Sequence, residues 1–199
     1  MLKINTIIYS TKQKRLFNPV AFLLIVLYKY FAQTNLLGDK RMKIKGLVDE
    51  DFLQYKKPSM FVITSDCSFK CEQEANCPGM CQNSDLVRAQ TKSIDDNYIV
   101  QRFLDNDISE AIVFGGLEPF DQWDELLQLI VCFREKTDAD IVIYTGYKQE
   151  EICNYLTQLR QFKNIIVKFG RYVPNQKPHL DEVLGVELAS DNQFAQYIN

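Results

Sequence analysis

Between residues 59 and 169 the hydrophobic and polar positions alternate between two periods. Short apolar runs rich in β-branched residues read as buried strands over 59–65, 110–114, 140–145 and 164–169. Between them, 93–105, 122–135 and 150–161 read as helices, the second clearly amphipathic. Alternation of this kind implies βαβ units on a parallel sheet with right-handed crossovers, an α/β fold. Ligands of such sheets bind at the carboxyl ends of the strands, so the residues just after each strand are the candidates for a site.

The first forty residues break this pattern. Lys12, Lys14 and Arg15 precede the apolar run from Val20 to Tyr28, the outline of a signal peptide. Nine apolar residues are too few for a spanning helix, which needs about twenty. Lys29 ends the run, and the residues after Phe31 make a poor cleavage site. A start at Met42 fits better, because Gly38-Asp39 is encodable as a ribosome-binding sequence at a suitable distance. Residues 1–41 are then expected to be an upstream extension, and 42–199 the functional domain.

Composition narrows the class. The 199 residues are 46% hydrophobic with a formal net charge of -3, which suits one compact domain and argues against disorder. The mild acidity gives no general attraction to nucleic acid. The only histidine, His179, lies in a loop-like stretch and reads as a surface residue, so a histidine-based nucleophile is not expected. No Gly-rich phosphate loop ending in Lys-Ser/Thr is present, which removes the usual nucleotide hydrolase.

The cysteines carry the chemistry. Cys67, Cys71, Cys77 and Cys81 lie within fifteen residues, directly after the run Met60-Phe-Val-Ile-Thr64. Clustering on one loop favours metal ligation in a reducing, cytoplasmic compartment over a disulfide framework. Soft thiolates select zinc or iron-sulfur centres. Cys132 and Cys153 fall in helical segments and read as ordinary buried residues. Two further strand ends carry glycine turns: Val113-Phe-Gly-Gly-Leu-Glu-Pro-Phe120 and Ile141-Val-Ile-Tyr-Thr-Gly-Tyr147. A Gly-Gly pair lets backbone approach a ligand, though a tight strand-to-helix turn demands the same residues. Thr145 and Tyr147 offer hydroxyls there, or serve as turn and packing residues.

Together these segments resemble the radical S-adenosylmethionine family, and within it the small activating proteins of anaerobic ribonucleoside-triphosphate reductase. Cys67-Ser-Phe-Lys-Cys71 is similar to the opening of the family's cluster motif and Cys81-Gln-Asn83 to its close. Gly115-Gly-Leu-Glu-Pro119 is similar to the glycine-glycine-acid-proline motif that contacts the amino group of S-adenosylmethionine, and Tyr144-Thr-Gly-Tyr147 to a strand end lining the cofactor pocket. Val167-Lys-Phe-Gly-Arg-Tyr172 and Leu188-Ala-Ser-Asp-Asn-Gln193 resemble the final segment of these activators. The resemblance implies a partial parallel (β/α) barrel and a 4Fe-4S cluster held by Cys67, Cys71 and Cys81, with Cys77 as the alternative. It implies S-adenosylmethionine contacts from Gly115, Gly116, Glu118, Thr145, Ser190 and Asn192.

The implied activity is reductive cleavage of S-adenosylmethionine to a 5′-deoxyadenosyl radical, which takes hydrogen from a backbone glycine of the reductase large subunit. A flavodoxin or ferredoxin would supply the electron. The chain departs from the pattern twice: Glu74 stands where the third cysteine is expected, and Leu117 is inserted between the glycines and the acid. Phe69, Lys70, Phe120 and Trp123 are candidates for a docking surface, with packing the alternative role for the aromatics. Two other readings stay open, an activase of another glycyl-radical enzyme and a structural zinc module using all four thiols.

Overall fold

The computed structural model of the chain describes residues 41–198. The expected upstream extension, apart from Arg41, lies outside the described residues. The strands are β1 (Arg41–Asp51), β2 (Ser59–Thr64), β3 (Lys92–Asp95), β4 (Ala111–Gly115), β5 (Asp140–Tyr144), β6 (Ile165–Phe169), β7 (His179–Asp181), β8 (Val186–Leu188) and β9 (Phe194–Tyr197). The helices are α1 (Lys70–Ala75), α2 (Asp96–Leu104), α3 (Trp123–Arg134) and α4 (Cys153–Leu159). No helix among the described residues is long and apolar enough to cross a membrane.

Seven strands form one sheet in the order β3-β1-β2-β4-β5-β6-β9, and β7 pairs with β8 in a separate hairpin. The four central strands, β2, β4, β5 and β6, run parallel. The sheet as a whole is mixed, because β1, β3 and β9 pair antiparallel at its two sides. Between β1 and β2 lie only residues 52–58, too short for the crossover a parallel neighbour requires. The expectation of parallel pairing is therefore met by the four central strands, while the flanks follow a different rule.

Residue alternation divides the two faces of the sheet. Ile112, Phe114, Ile141, Ile143, Ile165 and Val167 point into the larger core with Ile99 and Phe103 of α2, Leu126 and Phe133 of α3, and Leu156 of α4. The intervening residues Ala111, Val113, Val142 and Ile166 face the opposite way, into a smaller cluster covered by Tyr55, Leu184 and Leu188. Both faces of the central strands are thus covered, which explains their continuous apolar runs.

Helix boundaries differ from the sequence reading in instructive ways. The helix expected over 93–105 begins only at Asp96, since Lys92–Asp95 pair with β1. Asp95 then caps α2, its carboxylate accepting from the backbone N–H groups of Asn97 (2.9 Å) and Tyr98 (3.3 Å). The helices expected from 122 and 150 instead open with 3-10 turns, Pro119–Gln122 and Gln149–Ile152. Strand β1 was not anticipated, although fully buried Met42 and Ile44 alternate with exposed Arg41 and Lys43. His179 is half-buried at the start of β7 rather than in a loop. Cys153 is exposed and Cys132 half-buried, so neither is fully buried as expected. Cys153 opens α4 on its solvent side, whereas Leu156 and Leu159 take the core positions.

Candidate metal centre and cofactor cavity

Because β2, β4, β5 and β6 are parallel, the segments that follow them emerge at one edge of the sheet. They are the cysteine loop, the Gly116–Glu118 turn, the Thr145–Tyr147 turn and the Gly170–Tyr172 turn. Direct hydrogen bonds fasten them to one another. The Ser65 N–H donates to Gln122 Oε1 (2.7 Å), and the Glu118 N–H donates to the Asp66 carbonyl (2.8 Å). The Ser68 N–H donates to Asp121 Oδ2 at 2.5 Å.

The short helix α1 carries Cys71 just beyond Cys67. Phe69 starts it from a left-handed conformation (φ 54°), and its N–H lies 3.3 Å from the Cys67 sulfur. Asn76 ends α1 with a second left-handed residue (φ 48°). Glu72 then folds the inserted stretch back: its carbonyl accepts from the Cys77 N–H (3.1 Å) and its carboxylate from the Cys81 N–H (3.1 Å). The insertion is looped outward, and Cys81 returns to line the same cavity as Cys71.

The glycine turns differ in function. Gly116 has φ 83°, and a Cβ there would lie 2.6 Å from Ile63 Cγ2, so both conformation and space require glycine. Gly115 is needed for packing: a Cβ would meet Tyr144 Cβ at 3.1 Å and the Phe61 ring at 3.3 Å. Glu118, almost fully buried, accepts from Thr145 Oγ1 (2.7 Å), the Gly146 N–H (2.9 Å) and the Phe120 N–H (3.2 Å). Its carboxyl group thus joins the β4 and β5 turns.

These elements enclose a cavity of about 410 Å³. Cys67, Cys71 and Cys81 line it, together with Gly116, Glu118 and Thr145. Exposed Cys77 is not in its wall, and neither are Gly115, Ser190 and Asn192. The last two act one layer behind. Ser190 Oγ accepts from the Val173 N–H (3.3 Å), and Asn192 Nδ2 donates to the Arg171 carbonyl (2.9 Å), which fixes the turn after β6. Phe120 is buried, and half-buried Trp123 stacks on both Phe120 (5.6 Å) and Tyr155 (4.5 Å), so both aromatics take packing roles.

The electrostatics follow from enclosure. Burial pushes the Cys67 thiol up to about 12, with the Glu118 and Asp121 carboxylates adding to the effect against the Phe69 N–H. Burial and the neighbouring Cys81 also raise Cys71. Metal binding at such thiols would release their protons, with the metal's charge offsetting the cost of the buried thiolates. Glu118 is raised to about 7 by burial, against its three donors. Among the described residues no group of three or more His, Cys, Asp and Glu side chains is already gathered as a metal-ion site; the three thiols share a cavity wall without closing on one point.

Sequence reasoning passed over two cavity residues of consequence. Lys168 is buried on β6, donates to the Gly170 carbonyl (2.9 Å) and is lowered to about 8 by burial. Arg171 is also buried and grips Glu151 through both terminal nitrogens (2.8 and 2.7 Å), while its Nε has no partner. The signal for Lys168 was visible as a lone cation inside the apolar run Ile165–Phe169. Arg171 carried no such signal, because only the turn at Gly170 folds it inward.

Comparison with known proteins supplies one finding. No curated protein and no solved structure matches the chain. The family model of a 4Fe-4S single cluster domain matches residues 57–193, from the end of the β1–β2 connection to the tail behind the cavity. Three soft thiolate donors in one cavity wall are the ligand type such a cluster takes. The chain therefore belongs to the 4Fe-4S single cluster domain family.

Proposed function

We propose that the chain is a radical S-adenosylmethionine activase of anaerobic ribonucleoside-triphosphate reductase, with Cys67, Cys71 and Cys81 holding a 4Fe-4S cluster. The observation that carries this reading is the meeting, in one cavity, of those three thiols with Gly116, Glu118 and Thr145. Cys67, Cys71 and Cys81 would hold the cluster, which would supply a coordination site for S-adenosylmethionine and the electron for its reductive cleavage. The chain's residues bind and orient. Gly116 leaves the wall without a side chain, and Glu118, fixed by Thr145 and Gly146, offers a carboxylate to the ligand's amino group. Lys168 and the buried Leu117 line the same space and help exclude water. The product radical would act on a glycine of the partner enzyme, which brings its own substrate.

Anaerobic reconstitution with iron and sulfide tests this directly. A brown protein is expected, with about four irons per chain, that releases 5′-deoxyadenosine from S-adenosylmethionine once reduced with dithionite. A colourless protein that retains zinc would overturn the proposal in favour of a structural module. A brown protein that leaves S-adenosylmethionine intact would reduce the assignment to cluster binding alone. Transfer of a radical to the reductase large subunit, read as a glycyl signal by electron paramagnetic resonance, distinguishes this partner from other glycyl-radical enzymes.

A further inference from the structure

Asp121 follows the Glu118-Pro119-Phe120 turn and takes no part in the resemblance on which the site residues were chosen. Its two carboxylate oxygens nevertheless join two parts of the site. Oδ2 accepts from the Ser68 N–H at 2.5 Å, inside the segment between Cys67 and Cys71. Oδ1 accepts from Tyr147 Oη, also at 2.5 Å, from the turn after β5. Tyr147 is itself held by cations, with Lys70 Nζ 4.5 Å and the Arg171 guanidinium 5.7 Å from its ring centre. Asp121 is half-buried, so its charge is only partly screened, and it acts on the Cys67 sulfur together with Glu118.

We infer that Asp121 is a positioning residue whose carboxylate fixes the Cys67–Cys71 segment against the Tyr147 turn and, by its negative charge, holds the bound cluster at a low reduction potential. The inference rests on the proposed cluster at these thiols. Its physical basis is general: an added electron is disfavoured by a nearby negative charge, and cluster potentials respond to local charge and solvent exposure. No acid-base step is assigned to Asp121.

The test is a reductive titration with dithionite of the reconstituted full chain, followed by electron paramagnetic resonance. Asp121→Asn keeps the side chain's shape and removes its charge. It is expected to load the same iron and sulfide as the wild type and to be reduced at a higher potential. Tyr147→Phe keeps the charge and loses one hydrogen bond, and its midpoint is expected to move less. An Asp121→Asn chain that loads normally and shows the wild-type midpoint overturns this inference alone. A wild-type chain that takes up no cluster overturns the proposed function and this inference together. If Asp121→Asn folds but loads poorly, Asp121→Glu must restore loading, and its failure to do so overturns the inference as well.

Discussion

Single residues decide which thiols face the cavity. Cys67 is set by its place after β2, Cys71 by the short helix that Phe69 initiates, and Cys81 by the carboxylate of Glu72. Cys77 belongs to the outward loop and is exposed. Replacing Cys67, Cys71 or Cys81 by Ser is expected to abolish cluster loading, and Cys77→Ser to leave it intact. Iron and acid-labile sulfide per chain are the measure, and a cluster retained after loss of Cys81 would refute the ligand set. Gly116 gives a second prediction at this scale. Gly116→Ala places a Cβ 2.6 Å from Ile63 with φ at 83°, which costs about 1–3 kcal/mol. A lower urea midpoint checks it; an unchanged one would show that the turn relaxes.

The residue scale also shows how much of the site could be read in the chain. The three thiols, Gly116, Glu118 and Thr145 were chosen by the resemblance, and all six line the cavity. Gly115, Ser190 and Asn192 were chosen by the same resemblance, yet they stand behind the cavity wall. Whether a residue touches the cavity or supports one that does depends on side-chain direction across turns. Sequence spacing does not fix that direction outside regular elements.

At the scale of elements, the cavity is an outcome of parallel pairing. Four strands running the same way deliver their following segments to one edge, and Glu118, Asp121 and Gln122 stitch those segments together. The strands were legible because burial on both faces leaves a continuous apolar run. The helix starts were not, because 3-10 turns and a capping strand precede α2, α3 and α4. Asp95→Ala removes the only side-chain cap of α2 and is expected to cost about 1 kcal/mol. Thermal unfolding measures it, and a loss below a few tenths would mean that pairing of β3 with β1 alone sets the helix start.

For the whole molecule, stability comes from the larger core between sheet and helices, while buried and paired carboxyl groups at the cavity edge add a pH dependence. Glu118 has a folded pKa of about 7 against 4.5 when free, so the folded chain holds a proton that the unfolded chain releases. Its contribution is complete below pH 4.5 and is lost as pH rises through 7, a change of up to about 3 kcal/mol. Glu151 works in the opposite sense. Arg171 lowers it to about 2, so its contribution is present above 4.5 and disappears as pH falls towards 2. Cluster-free protein is therefore expected to lose stability between pH 4.5 and 7, and Glu118→Gln to remove that slope. Urea midpoints across this range test it, and an unchanged slope in the variant would assign the effect to other groups.

The amino-acid sequence by itself determined the alternating elements, the parallel central strands and the chemical type of the site. Burial periods and thiol clustering are local properties, expressed wherever the chain folds. Tertiary structure alone decided that the sheet is mixed, that the insertion before Cys81 loops outward, and that Lys168 and Arg171 are turned into the cavity wall. It also decided that Asp121 joins the thiol segment to Tyr147, across 53 and 26 positions of the chain. Contacts over such separations depend on how strands stack side by side, and no local pattern of residues encodes them.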